Sequence, residues 1–453
     1  MERLRKNQLV RATVEGYNSA GLGVARVNGR VVFVPRGARG DSCLLRLVKV
    51  PDSGPLYARI EKLETPSPYR RDDDCPVSGR CGGCDFRHIS YEEELYLKQT
   101  RVGETLRRIG GIDIIPEPII PAPETVAYRN KALFPVRCVD GSPVTGFYRP
   151  RSHDIVPVDV CALQTGAANA LSRALRNWMV RYRIPAYDEK SREGTIRHLF
   201  VRTGAHTGQA LCCVSATKTK LPHTAALVEA LRAAYPGLSG VVLDTNTGCD
   251  NLALRGDQRL LWGRGRMEEK LGGFVFSLSA MSFFQVNPTQ AERLCGLAVE
   301  MAAPAENETA VDLYCGAGAL TLQLARRAAT VVGIDNVHSA IDDAKENARH
   351  NGITNIEFIC ADAGRAAADL VQRGIRPGVL VVDPPRRGLH DSVVKAVGQL
   401  APPRMVYVSC DPATLARDIK YLHEVGMNTV RCAVLDMFPR TANVECVAGL
   451  VRA

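Results

Sequence analysis

Five short apolar runs, TAVDLY, ATVVGID, IEFICAD, GVLVVDPP and RMVYVSCDP, recur between residues 309 and 412, with helix-like stretches between them. Runs that are apolar throughout belong to parallel strands covered by helices on both faces, so the last third of the chain is expected to fold as a doubly wound α/β sheet. In open sheets of this kind ligands bind outside the carboxyl ends of the strands. Polar residues and a cysteine stand at those ends here, which makes them the place to look for chemistry.

A chain of 453 residues exceeds what one hydrophobic core fills. Three units are expected: a leading barrel over residues 1–65, a central α+β unit over 66–272 and a Rossmann-like unit over 273–453. The apolar fraction of 45% and charged fraction of 23% are those of a globular protein. No run of about eighteen apolar residues occurs, and no apolar signal core follows MERLRKNQLV. These features predict a soluble, unprocessed cytoplasmic chain, a monomer without membrane partners.

Residues 8–64 alternate short β-branched runs with turn signals such as Asn28-Gly29, the pattern of a small five-stranded barrel of the oligonucleotide-binding sort. Residues 1–65 hold twelve Lys/Arg against six Asp/Glu, so +6 of the chain's net +10 lies there, and a polyanionic partner is expected. The stretch TPSPYRRDDDCPVSGRCGGCDFRHIS that follows is too irregular to fold without a staple. YEEELYLKQTRVGETLRRI then predicts an amphipathic helix over 91–109 with Leu95, Val102, Leu106 and Ile109 on its apolar face. The mixed region to 272 carries basic clusters at Arg129-Asn130-Lys131, Arg149/Arg151 and Arg192/Arg197/His198.

The chemistry sits at the strand ends. Asp312-Leu313-Tyr314-Cys315-Gly316-Ala317-Gly318 closes the first run and opens a helix; Gly316 and Gly318 let the backbone approach a ligand. Asp335 ends the second run, where a carboxylate can take both hydroxyls of a ribose, and Asp362 ends the third, within reach of an adenine amino group. The turn lacks the third glycine of a dinucleotide site, which points to S-adenosylmethionine. Asp383-Pro384-Pro385-Arg386 ends the fourth run. Enzymes that methylate exocyclic amines place an aromatic residue where Arg386 stands, so Asp383 reads as an acceptor for a ring N–H. Ser409-Cys410-Asp411-Pro412 ends the fifth and sets a thiol on the same rim. A thiolate that adds to carbon 6 of uracil makes carbon 5 nucleophilic. The proton on carbon 5 must then leave, and Glu445 in PRTANVECVAGL is the candidate base.

These motifs together resemble the RNA uracil-5-methyltransferase family, in particular its 23S ribosomal RNA branch. The resemblance runs through SFFQVNP, DLYCGAGALTLQLA, VVDPPRRGL, VSCDPATLARD and DMFPRTANVE, and through GYNSAGLGVARVNGRVVFVPRGARGD, which is similar to the TRAM module. It implies Cys410 as nucleophile and Glu445 as base, with Asp383 and Arg386 on the substrate. It implies a cofactor site of Gln285, Tyr314, Gly316, Gly318, Ala319, Asp335, Asp362 and Asp383. The family commonly has a His two residues before the base, and this chain has Asn443. Cys75, Cys81, Cys84 and Cys161 could by ligand type hold zinc or an iron–sulfur cluster; the resemblance implies a [4Fe–4S] cluster with a structural role. The expected partner is single-stranded or loop ribosomal RNA with a flipped uridine. The alternatives are uracil-5 methylation of transfer RNA and a non-catalytic RNA-binding iron–sulfur protein.

Overall fold

The computed structural model describes residues 4–453, so the first three residues of the expected barrel lie outside the described residues. Strands Leu9–Tyr17, Gly23–Val27, Arg30–Val34, Ser42–Lys49 and Leu56–Thr65 close into a barrel in which the fifth strand inserts between the third and fourth. Asn28 and Gly29 both have positive φ, 49° and 80°, the backbone that a tight two-residue hairpin demands. Alternate residues, among them Val32, Val34, Leu45 and Leu47, fill the interior.

The central unit is a seven-stranded mixed sheet. Its order in space is Gln258–Gly263, Leu238–Thr245, Ala210–Ala216, Ile196–Thr203, Lys131–Val139, Ser142–Tyr148 and Ile155–Pro157. Helices Gly166–Arg181 and Thr224–Ala234 cover it and share its core through Leu171, Leu175, Trp178, Leu227 and Leu231. The α+β expectation describes this unit.

The last unit has the doubly wound sheet, in the order Ile356–Cys360, Thr330–Asp335, Thr309–Leu313, Val379–Val382, Arg404–Ser409, Glu445–Arg452 and Met427–Leu435. The five apolar runs form its five mutually parallel strands. Glu445–Arg452 slots in antiparallel between Arg404–Ser409 and Met427–Leu435. Successive strands move outward from Thr309–Leu313 in one direction and then resume at Val379–Val382 on its other side. That reversal opens a crevice between the ends of these two neighbours, the place where open α/β sheets bind ligands.

Segments expected in the central unit also build the C-terminal core. Val102, Leu106 and Ile112 are buried against the sheet, and residues 117–120 run along the outer strand, with Glu117 N donating to Cys432 O and Ile120 N to Val434 O, both at 2.8 Å. The division at 272/273 falls inside a hairpin, Met267–Leu271 paired with Phe274–Leu278, whose Leu271, Phe274, Phe276 and Leu278 pack in the core on the sheet's other face.

The helix after the cysteine stretch differs from its expectation. It is α-helical over Tyr91–Thr105 and finishes in a wider turn over Leu106–Gly110. Its buried face consists of Glu93, Glu94, Leu97, Lys98, Val102 and Leu106, whereas Ile109 is 48% exposed and Leu95 only half-buried. Three charged groups are buried because each finds an opposite charge. Glu93 takes two hydrogen bonds from Arg39 of the barrel at 2.8 and 2.7 Å, and Lys98 lies between Glu94 and Asp436 at 2.7 and 2.6 Å. Among the described residues no helix is long and apolar enough to cross a membrane.

Candidate active site

Local sequence explains why a thiol stands at the rim. Arg404–Ser409 is a buried strand, and Asp411-Pro412 starts the helix Pro412–Glu424, with Pro412 in the first turn and Asp411 as its cap. Asp411 Oδ1 accepts from Ala413 N at 2.9 Å and Thr414 N at 3.0 Å. Cys410 occupies the corner between strand and helix, half-buried.

Glu445 opens the neighbouring antiparallel strand. Ser409 pairs with Cys446, so the register sets Glu445 beside Cys410. Glu445 is 3% exposed. Burial, with Asp383 adding to it and Arg386 opposing, holds its carboxyl well above the usual carboxylate range. Asp383 ends its strand next to the glycine turn, its N–H directed at Leu313 O. It is partly buried, and desolvation raises its carboxyl to about 7.

The thiol lies within the field of all three charged neighbours. Burial raises its pKa, and Glu445 and Asp383 raise it further, whereas Arg386 beside it favours the thiolate. Arg386 is held in place. Its carbonyl accepts from Thr414 Oγ1 at 3.0 Å, and its guanidinium donates to Asn443 Oδ1 at 3.3 Å. Asn443, the departure from the family pattern, thus meets the cation that faces the nucleophile.

The glycine turn makes the other wall. Tyr314, Gly316 and Gly318 all have positive φ, 71°, 54° and 89°. Nothing lies within 4 Å of where a Cβ on Gly316 would project, so the backbone there is bare toward the crevice. Asp335 Oδ2 accepts from Gly316 N at 3.0 Å and Oδ1 from Val337 N at 2.9 Å, which leaves each oxygen a further lone pair for a ribose. Asp362 has a structural task that its strand-end position did not reveal: Oδ1 caps the helix Ala363–Gln372 through Gly364 N and Arg365 N. Its charge still reaches Tyr314 across the crevice. Ala319 and Gln285 are partly buried; Gln285 is fixed through its carbonyl, which accepts from Asn130 Nδ2 at 2.9 Å.

Cys75, Cys81, Cys84 and Cys161 line one cavity of about 70 Å³. Gly83 N and Arg87 Nε donate to the sulfurs of Cys81 and Cys84, at 3.4 and 3.3 Å. Among the described residues no group of three or more His, Cys, Asp or Glu side chains is arranged to hold a metal ion.

Two members of the central basic clusters lie inside the protein. Arg197 and His198 are 3% and 7% exposed, because both lie on a strand of the sheet buried along its whole length. Arg197 donates to the carbonyls of Asn246 and Gly248 and lies 4.4 Å from the centre of the Tyr187 ring. Neither can grip a backbone phosphate. Arg149, Arg151 and Arg192 are exposed as expected.

The residues that hold the loop before Glu445 were not singled out from sequence. Asp85, Lys98, Arg101 and Asp436 converge there. DMFPR contains Asp436, and its two charged ends around an apolar middle were the available signal.

Comparison with known proteins gives one consistent answer. The pattern of the tRNA (Uracil-5-)-methyltransferase family matches residues 258–453, and that of the TRAM domain matches residues 3–44. An uncharacterized RNA methyltransferase of Halalkalibacterium halodurans is 38% identical over 99% of this chain and 98% of its own length. Another from Clostridium tetani is 35% identical over 98% of this chain and 96% of its own length. The tRNA (uracil-54, C5)-methyltransferase of Pyrococcus abyssi, solved with S-adenosyl-L-homocysteine, superposes with a TM-score of 0.80 at 27% identity, over 97% of this chain and 99% of that one.

Proposed function

The chain belongs to the RNA uracil-5-methyltransferase family, and from that premise we propose that it transfers a methyl group from S-adenosylmethionine to carbon 5 of a uridine in 23S ribosomal RNA, through a covalent adduct on Cys410. The observation that carries the reading is the meeting of Cys410, Arg386, Asp383 and Glu445 at the crevice beside the bare Gly316 backbone.

The cofactor supplies an electrophilic methyl group. Asp335 and the glycine turn offer what a ribose and an adjacent polar chain need, and Asp362 keeps Oδ2 uncommitted by hydrogen bonds to the helix it caps. Asp383 accepts the ring N–H of a flipped uracil and orients carbon 6 toward Cys410. The Cys410 sulfur, once ionised, bonds to carbon 6, and the displaced π pair makes carbon 5 the nucleophile that takes up that methyl group. Glu445 then takes the carbon 5 proton, the carbon 5–carbon 6 double bond returns, and the thiolate leaves. A carboxylate raised by burial is a stronger base once ionised, which suits removal of a carbon-bound proton.

The four cysteines fit a [4Fe–4S] cluster. Four sulfurs line one cavity and two of them accept N–H bonds, a donor set of the kind that holds such a cluster. Held there it ties Cys161 of the central unit to the 75–84 loop, a stretch with little core of its own.

A second reading, uracil-5 methylation of transfer RNA, is favoured by the Pyrococcus abyssi relative, which matches along nearly the whole chain. The barrel and the cysteine loop therefore do not separate the two substrates. Incubation of unmodified ribosomal and transfer RNA with labelled cofactor, followed by nucleoside analysis and site mapping, decides between them. Labelled 5-methyluridine in the large-subunit RNA is expected. Label confined to transfer RNA supports the second reading, and label in a purine refutes both.

A further inference from the structure

The loop that delivers Glu445 to the nucleophile is gripped by residues from the first quarter of the chain. Asp85 N and Phe86 N both point at Arg440 O, at 2.8 and 3.2 Å. In return Ala442 N donates to Asp85 Oδ2 at 2.8 Å, across 357 positions of sequence. The carbonyl of the same Ala442 accepts from Arg101 at 2.6 Å, and Arg101 also donates to Ser19 O of the barrel at 3.0 Å. Behind them Glu94 Oε1 accepts from Arg440 N at 2.7 Å, and Lys98 Nζ donates to Phe438 O at 3.2 Å. Asp85 follows Cys84 directly, so one end of this grip is the cysteine-lined loop.

Glu445 is three residues beyond Ala442, and it is the first residue of its strand. Sheet pairing fixes the strand from Glu445 onward. Before it, the Ala442 backbone makes two cross-chain hydrogen bonds, one from its N–H and one to its carbonyl, whereas Asn443 N donates to Thr441 Oγ1 at 3.3 Å and Val444 is buried in the core.

We propose that Asp85 and Arg101 are positioning residues for the base: by holding the N–H and the carbonyl of Ala442, and so the two peptide units that flank it, they set the point from which Glu445 removes the carbon 5 proton, and so make this step depend on the cysteine loop and the barrel. The inference rests on the uracil-5 reading. In the step concerned the proton passes to the Glu445 carboxylate, its bonding pair forms the carbon 5–carbon 6 double bond, and the sulfur–carbon 6 bond breaks to release the Cys410 thiolate. A displacement of about 1 Å at a proton-transfer group costs up to about a hundredfold in rate. The earlier attack by sulfur does not use Glu445 in this way, so the two steps respond differently.

The test follows adduct formation and adduct breakdown separately by quenched single turnover on denaturing gels, with the full-length protein, unmodified RNA and S-adenosylmethionine. Asp85→Ala is expected to slow breakdown by about tenfold or more while formation and S-adenosylhomocysteine affinity stay near those of the unaltered protein. Asp85→Asn retains an oxygen to accept the Ala442 N–H and is expected to restore breakdown. Arg101→Lys, which loosens the carbonyl side, is expected to slow the same step and provides the reading should Asp85→Ala fail to fold. Breakdown at the unaltered rate in both Asp85→Ala and Arg101→Lys overturns the inference, as does an equal fall in formation, breakdown and cofactor affinity. Absence of any adduct in the unaltered protein with active methylation sinks the covalent reading itself, and the inference with it.

Discussion

At the residue scale the site turns on one thiol under opposing influences. The start of helix Pro412–Glu424 and the Arg386 cation favour its ionised form, whereas burial and the carboxylates of Glu445 and Asp383 oppose it; the opposition wins, because the pKa is raised from 9.0. The sign of each term gives an outcome. In Glu445→Gln a neighbouring negative charge is lost, so the profile of iodoacetamide alkylation of Cys410 against pH is expected to move to lower pH. In Arg386→Ala a favourable cation is lost, and the profile is expected to move higher. Identical profiles in both variants would mean that these groups do not face the sulfur. Because an unionised thiol cannot add to the ring, kcat/KM of the unaltered protein is expected to rise with pH through the neutral range, measured as initial methylation rate at low RNA concentration. Asp335, Asp383 and Cys410 stood out in sequence because each follows an apolar strand run, at the rim where open sheets bind ligands. The capping task of Asp362 was not, since the same position serves a ligand and a helix N-terminus equally well.

At the scale of elements, the parallel strands were legible because burial on both faces leaves no polar alternation to misread. The strand Met427–Leu435 was not, as its exposed half at Asn428, Val430 and Arg431 breaks the run. The helix Tyr91–Thr105 was placed correctly, but of its expected apolar face only Val102 and Leu106 are buried. Charged residues read as solvent-facing, yet Glu93, Glu94 and Lys98 lie inside because their partners come from far along the chain. The Lys98 ammonium joins two fully buried carboxylates, Glu94 and Asp436, on separate elements. Lys98→Met leaves both carboxylates without it and is expected to cost about 3–5 kcal/mol, the usual penalty for stranding one half of a buried pair. Urea unfolding at neutral pH measures this. A loss near zero would show that the network adds no net stability, although the Tyr91 hydroxyl also reaches Asp436, at 2.7 Å.

At the scale of the whole molecule, the barrel does not swing freely from the rest. Asp41, completely buried, takes two hydrogen bonds at 2.7 Å from Arg70 in the following segment, and Arg39 clamps Glu93 while lying 4.6 and 4.4 Å from the centres of the Tyr69 and Tyr96 rings. RNA bound on the barrel is thus held at a fixed distance from the crevice. Exposed Lys49 and Lys62 lie on its strands. Replacing both with Ala is expected to weaken RNA binding and reduce the slope of log affinity against log salt by about one to two, as the loss of phosphate contacts requires; filter binding over a salt series measures it, and an unchanged slope excludes these lysines from the interface. The central claim, that sulfur bonds to the pyrimidine at the sheet rim, is tested most directly with Glu445→Gln, unmodified RNA and S-adenosylmethionine, by digesting the trapped complex with nuclease and protease and sequencing the product by mass spectrometry. A peptide carrying 5-methylated uridine on Cys410 is the expected result; a nucleotide on any other residue, or full methylation by Cys410→Ala, would contradict the account.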